Sequence, residues 1–283
     1  MKLDKIITLA NVKTEMAFTA MVRSLRATGC HLPVWVIPYD DNTFKLPENC
    51  VWWEVQEVIT WVKANNMWPA FRKIQCLTTT NYQFVDSDII FLKNPEEFLK
   101  DYTGFITSCT HWSNPGETIT DETLPFFKNK SSTWPKLTFN SGQWACDERL
   151  YEIADLKKFC ENNYKETLFL NTKIYKDQAG INLLVNHTDI EVTNLTLPPI
   201  NMNSTWAGDY ADANSFSNFE SRDKPYLIHW AGTPVNNDKY INSYLFSFLE
   251  PHHKSQFLDM QSHSKKKSVI RSKLKEIYRI IKH

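Results

Sequence analysis

Glycine is scarce in this chain: seven residues in 283, none before Gly29. That scarcity excludes a glycine-rich phosphate loop, and neither G-x-G-x-x-G nor a Walker pattern occurs. The six cysteines (Cys30, Cys50, Cys76, Cys109, Cys146, Cys160) form no C-x-x-C pair and no zinc spacing, so reduced thiols of a cytoplasmic protein are expected. No run of roughly 18 apolar residues is present, which excludes an ordinary transmembrane helix. Met1 to Ala10 is too short and too charged for a signal peptide. Formal net charge is zero, and no nucleic-acid partner is expected.

Aromatic residues, by contrast, are plentiful. Ten Trp, eleven Tyr and seventeen Phe suit core filling first, and sugar or base stacking second. Charge is unevenly spread. Residues 254–283 carry nine Lys or Arg against Asp259 and Glu276. The chain is therefore divided into a main domain over 1–250 and a basic tail over 251–283.

Apolar periodicity organises the main domain. Lys5 to Ala10 reads as a buried strand ended by Asn11. Met16, Ala20, Met21 and Leu25 give a helix over 14–27, stopped by Gly29. Pro33 to Pro38 is a second strand, running into Tyr39-Asp40-Asp41. This alternation predicts a parallel sheet covered by helices. In such sheets ligands bind beyond the carboxyl ends of strands, where Asn11 and Asp40 fall. Pro69 opens a helix carrying Lys73, either an anion contact or a solvated lysine. Residues 111–138 and 193–224 read as polar loops without helical period. Helices are expected over 151–163 and 175–184, and a last apolar strand over 225–232, ending in His229 and Gly232.

The centre of the chain is Phe84-Val85-Asp86-Ser87-Asp88-Ile89-Ile90-Phe91. On an extended chain Asp86 and Asp88 share one side, and paired carboxylates repel unless a cation lies between them. One reading is a divalent-metal site, the other an Asp-Ser-Asp turn. Further on, Asn140-Ser141-Gly142 interrupts what otherwise reads as a strand over 137–146; a glycine inside a strand marks a bulge or the close approach of a ligand or backbone. Asp177 is either a helix cap or a site residue.

The ordered set Phe71-Arg72-Lys73-Ile74, Val85-Asp86-Ser87-Asp88, Phe139-Asn140-Ser141-Gly142, Asp177-Gln178 and His229-Trp230-Ala231-Gly232 resembles the GT-A glycosyltransferases. Within them it is most similar to retaining family 8, the group of glycogenin and bacterial lipooligosaccharide galactosyltransferases. The likeness runs from about residue 4 to 235. It implies a Rossmann-like mixed central sheet flanked by helices. It also implies a metal-dependent transfer of sugar from a nucleotide-diphosphate sugar, a UDP-sugar first, to a saccharide or glycolipid acceptor. Asp86, Asp88 and His229 would hold Mn2+ or Mg2+. Lys73, Asp86, Asn140, Ser141, Gly142 and Gly232 would meet the donor, Asn11 its nucleoside, and Asp177 and Gln178 the anomeric carbon as catalytic residues. The family usually follows its His-x-x-Gly with Lys-Pro-Trp. Here Gly232 is followed by Thr-Pro-Val-Asn-Asn-Asp, and the first lysine is Lys239.

Alternatives stay open at this point: an inverting GT-A transferase, a sugar-nucleotide pyrophosphorylase, or a non-catalytic carbohydrate- or membrane-binding protein. Glycine poverty counts against the pyrophosphorylase. In the tail, Ile270, Leu274, Ile277, Tyr278 and Ile281 share a helical face with basic residues off it. Residues 262–283 are thus expected to lie on an anionic membrane as an amphipathic helix, making the protein peripheral on its cytoplasmic face.

Overall fold

A computed structural model describes residues 1–169, 176–235, 239–256 and 258–259. The chain opens with β1 (Lys5–Ala10), α1 (Glu15–Ala27), β2 (Val34–Pro38) and β3 (Cys50–Trp52). Next come α2 (Gln56–Ala64), a 3-10 helix (Pro69–Thr78), β4 (Tyr82–Asp86), β5 (Ile89–Phe91), α3 (Pro95–Leu99) and β6 (Phe105–Thr107). Then follow α4 (Leu124–Lys130), β7 (Gln143–Cys146), α5 (Ile153–Asn162), α6 (Lys176–Asn186) and β8 (Val192–Asn194). The last three elements are α7 (Ala213–Ser221), β9 (Leu227–His229) and α8 (Asn242–Phe246).

Seven strands form one sheet in the order β3-β2-β1-β4-β7-β6-β8, and β5 pairs with β9 in a separate ribbon. From β3 to β4 the pairing is parallel, as the strand–helix alternation predicts. β7 departs from it by running antiparallel to both β4 and β6, so the sheet is mixed. The reversal has a local consequence: the carboxyl end of β4 meets the amino end of β7, placing Asp86 beside Gly142. The chain leaves β1 for β2 on one side, and after β3 it crosses to β4 on the other side of β1. Such a switch point opens a crevice at the strands' carboxyl ends, with Asn11 and Asp86 on its lip.

The sheet is buried on both faces, which is why β1 and β4 read as unbroken apolar runs. Ile7, Phe71, Phe84, Phe105 and Trp144 pack on one side. Ile6, Phe18, Leu25, Val85 and Ala145 pack on the other. Phe84 and Trp144 stack with ring centroids 4.3 Å apart, so much of the aromatic excess fills core. All six cysteines are free and buried.

Three expectations need correction. The strand expected over 137–146 begins only at Gln143: Trp134–Leu137 is a 3-10 turn, and Ser141 and Gly142 turn just ahead of β7; the helix opened by Pro69 is present, in 3-10 form. Residues 111–138 contain α4 and three short 3-10 turns, each too short to print a period on the sequence. Residues 193–224 contain α7, capped by the Asp212 carboxylate, which accepts from the Asn214 and Ser215 amides. The amphipathic helix expected over 268–282 lies outside the described residues. No helix among the described residues is long and apolar enough to cross a membrane.

Candidate active site

The acidic island is both a turn and a cluster. β4 ends at Asp86, Ser87 and Asp88 make the turn, and β5 begins at Ile89. Strand alternation therefore does not align the two carboxylates, as the extended reading had it. The ribbon does: Ile89 pairs with His229 across β5 and β9, and the Trp230 amide donates to the Asp88 carbonyl. Residues 141 positions apart are thus drawn together. His229 Nε2 lies 3.2 Å from Asp88 Oδ1 and 3.9 Å from Asp86 Oδ2. One ligand atom from each of the three lies within 4.8 Å of the others.

Gly142 closes the cradle from below. Its carbonyl accepts from the Asp86 amide at 2.7 Å. A Cβ at this position would stand 2.4 Å from His229 Cε1 and 2.5 Å from Asp86 Oδ2. Only glycine leaves that space open. If the cluster holds a divalent ion, Gly142→Ala is expected to weaken its uptake about tenfold or more, the scale on which supporting groups tune a metal site; titration of both purified proteins with Mn2+ checks this.

Lys73 is buried behind the cluster. Its ammonium lies 3.4 Å from Asp86 Oδ1 and 3.2 Å from Asp177 Oδ2, and donates to the Ser141 carbonyl at 3.1 Å. Three acceptors match its three donors, so the solvated-lysine alternative is excluded. Asp177 Oδ2 also accepts from the Ser141 hydroxyl at 3.2 Å, so this carboxylate of the first turn of α6 is a member of the knot. Gln178 Oε1 accepts from Asn140 Nδ2 and the Ser141 amide, and Gln178 Nε2 donates to the Glu117 carbonyl. Asn140, in turn, accepts from the Gly142 amide at 2.7 Å.

Charge in this knot is mutually adjusted. Burial lowers the His229 pKa, but Asp88 and then Asp86 outweigh it and hold the imidazole above its ordinary value. Burial raises Asp86 above the usual carboxylate range despite Lys73 and His229. For Asp88, His229 outweighs burial and holds the carboxyl low. Lys73 is raised, because Asp86 and Asp177 together overcome its burial.

Asn140, Gln178, His229 and Gly232 line a cleft of about 570 Å³ together with His111 and Trp206. Gly232 turns there with φ +61° and no atom within 4 Å of where a Cβ would stand. Asn11 sits apart from the knot, its amide donating to Asp40 Oδ2 at 2.8 Å. It remains at the same sheet edge, since Leu9 pairs with Asp86. Sequence reasoning missed His111, Glu117 and Trp206. They come from segments without period, and only the cleft shows that they face the same space.

No family model matches the sequence, and no curated protein aligns with it significantly. Solved structures do match. The bifunctional glycosyltransferase WbbM superposes with a TM-score of 0.62 at 13% identity, over 88% of this chain and 50% of WbbM. The galactosyltransferase LgtC, in complex with donor and acceptor sugar analogs, gives 0.57 at 13% identity, over 86% of this chain and 94% of LgtC. The glycosyltransferase GlyE of Streptococcus pneumoniae TIGR4 gives 0.53 at 10% identity, over 95% of this chain and 64% of GlyE. The fold is GT-A. The chain thus spans half the length of WbbM and nearly all of LgtC. In this GT-A unit the Asp86–Asp88–His229 cluster lies at the carboxyl edge of the sheet, beside the cleft.

Proposed function

We propose that this chain is a metal-dependent glycosyltransferase that moves a sugar from a nucleotide-diphosphate sugar, UDP-sugar first, to a saccharide or glycolipid acceptor with retention of configuration. One observation carries the reading: two carboxylates and an imidazole converge at the carboxyl edge of a GT-A sheet. The donor set fits a divalent cation. Two oxygens and one nitrogen suit Mn2+ slightly better than Mg2+, which prefers oxygen alone. The Gly142 cradle leaves the space clear. When bound, such a cation neutralises the charge that develops on a departing diphosphate.

The protein's own groups do the rest. Asn140, Ser141 and Gly142 form the floor on which the donor sugar and phosphates would rest, with Gly232 at the far wall and Asn11 toward the nucleoside. Lys73 keeps Asp177 and Asp86 fixed from behind. Asp177 and Gln178 are the groups beside the anomeric carbon in this reading. Both acceptor oxygens already receive two donors, which weakens each as a nucleophile. That favours the route in which they steady a cationic sugar while the acceptor enters from the leaving-group side. LgtC has also been solved with a glutamine-to-glutamate change in its active site, and Gln178 is a glutamine on the cleft wall here.

Calorimetry with UDP, with and without Mn2+, tests the proposal. Metal-dependent UDP binding is expected, followed by Mn2+-dependent hydrolysis of one sugar nucleotide in a screen; absence of nucleotide binding sinks the reading. We further propose that residues 262–283 hold the protein on anionic membrane. Their removal is expected to release it from phosphatidylserine vesicles, each basic residue near the surface contributing about 1 kcal/mol. Undiminished vesicle sedimentation of the truncated protein rejects the anchor.

A further inference from the structure

We propose that Trp206 is the stacking platform for the pyranose ring of a neutral saccharide acceptor. The inference deepens the transferase reading and rests on it. Of the ten tryptophans, Trp206 alone is exposed, at 44%. An indole left in water needs a reason, and its surroundings supply one.

Its backbone is bridged to the metal-site strand. Trp206 pairs in parallel with His229, and the His229 amide donates to the Thr205 carbonyl at 2.7 Å. The ring therefore starts one strand spacing from the cluster, on the wall of the same cleft. Its edge is fixed because Nε1 donates to the Ala231 carbonyl at 2.9 Å. Its back is fixed because the six-membered ring lies against Gly208, where a Cβ would come within 2.4 Å of Cζ2. The polar handle is satisfied and the ring is pinned, so stacking a ligand on the free face costs little conformational entropy.

The neighbouring groups point to the class of ligand. Asp209 and Glu117 line the cleft with Trp206, and Asp209 belongs to the turn that begins at Trp206, its amide donating to the Trp206 carbonyl. A pyranose has an apolar C–H face for the indole and a rim of hydroxyl donors for carboxylates. A carboxylated or phosphorylated sugar would instead meet charge of its own sign. A nucleotide base is a poorer fit, since Asn11, which would meet the nucleoside, is not among the residues that line this cleft.

The test uses the full chain loaded with Mn2+ and UDP, and reads saturation-transfer NMR with the methyl glycosides of glucose, galactose and N-acetylglucosamine, with glucuronic acid as the anionic control. At least one neutral glycoside is expected to bind and glucuronic acid to bind more weakly. Trp206→Ala should lower that affinity about tenfold, the scale of one aromatic stacking contact, and Trp206→Phe should recover part of it. Gly208→Ala, which displaces the ring but keeps it, should mimic Trp206→Ala. Mn2+-UDP affinity should change by less than about threefold in all three. Equal glycoside binding by Trp206→Ala and wild type overturns the platform, as does a parallel loss of UDP affinity. Binding of Mn2+-UDP with no glycoside bound by wild type also overturns it while leaving the transferase reading intact. Failure of UDP binding instead removes the transferase reading, and with it the acceptor role.

Discussion

Asp88→Asn is expected to cut metal-dependent turnover of a nucleotide sugar about 10²- to 10³-fold or more, the scale on which loss of a single electrostatic stabiliser acts. The chain should stay folded. Asp88 sits in a turn, its side chain is 40% exposed, and its backbone carbonyl keeps the Trp230 amide. An amide at this position still offers an oxygen, but not the charge that balances a divalent ion. The variant has a second signature that needs no activity. Asp88 is the foremost group lifting the His229 pKa against burial, so the imidazole of Asp88→Asn should titrate lower, as read by NMR. In the native protein the raised pKa means that a cation must displace a proton from His229. Mn2+ affinity should therefore weaken as pH falls below that pKa, by up to about tenfold per unit. Full turnover in Asp88→Asn, or Mn2+ binding indifferent to pH, would falsify the assignment of these ligands.

The parts legible in the sequence share one property: they are local and buried. β1, α1, β2 and α6 are continuous stretches whose apolar period is set by the faces they bury. The candidate site drew attention for a different reason. Its residues cluster in short polar islands inside apolar runs (Asp86-Ser87-Asp88, Asn140-Ser141-Gly142, His229), where ordinary packing gives no cause for polarity. What could not be read was pairing. Nothing local to Asp88 or His229 says that β5 leaves the main sheet to pair with β9, although that ribbon is what closes the cluster. Nor does the sequence near Gln143 say that β7 runs backward against β4. Trp206 escaped notice because a tryptophan in a polar segment reads the same whether it faces a cleft or a core.

The second large effect concerns Lys73. We expect Lys73→Met, close in length but without charge, to destabilise the fold by about 3 kcal/mol near neutral pH. That is the low end for breaking a buried ion pair by removing one partner, because Asp86 keeps 31% side-chain exposure and some hydration. The loss is electrostatic and must therefore depend on pH. In the native chain Asp86 and Asp177 outweigh burial and raise the Lys73 pKa above 10.5. Its stabilising contribution is therefore fully present below that value, and it imposes no slope across the neutral range. Without Lys73 the Asp86 carboxyl, already raised by burial, loses its main counter-charge and rises further. A folded pKa above the unfolded one makes the deficit complete at pH above the folded value. The deficit shrinks as pH falls through that folded value and is gone once Asp86 is protonated in both folded proteins, the unfolded carboxylate being the same in each. Urea unfolding of both proteins from pH 4 to pH 8 reads this as two curves that converge toward acid. Saturating Mn2+ should narrow the gap near neutrality, since a cation on Asp86 replaces part of the missing charge. Parallel curves would instead mean that Lys73 acts through packing of its methylene stem over Phe84, whose ring centroid lies 5.3 Å from its ammonium.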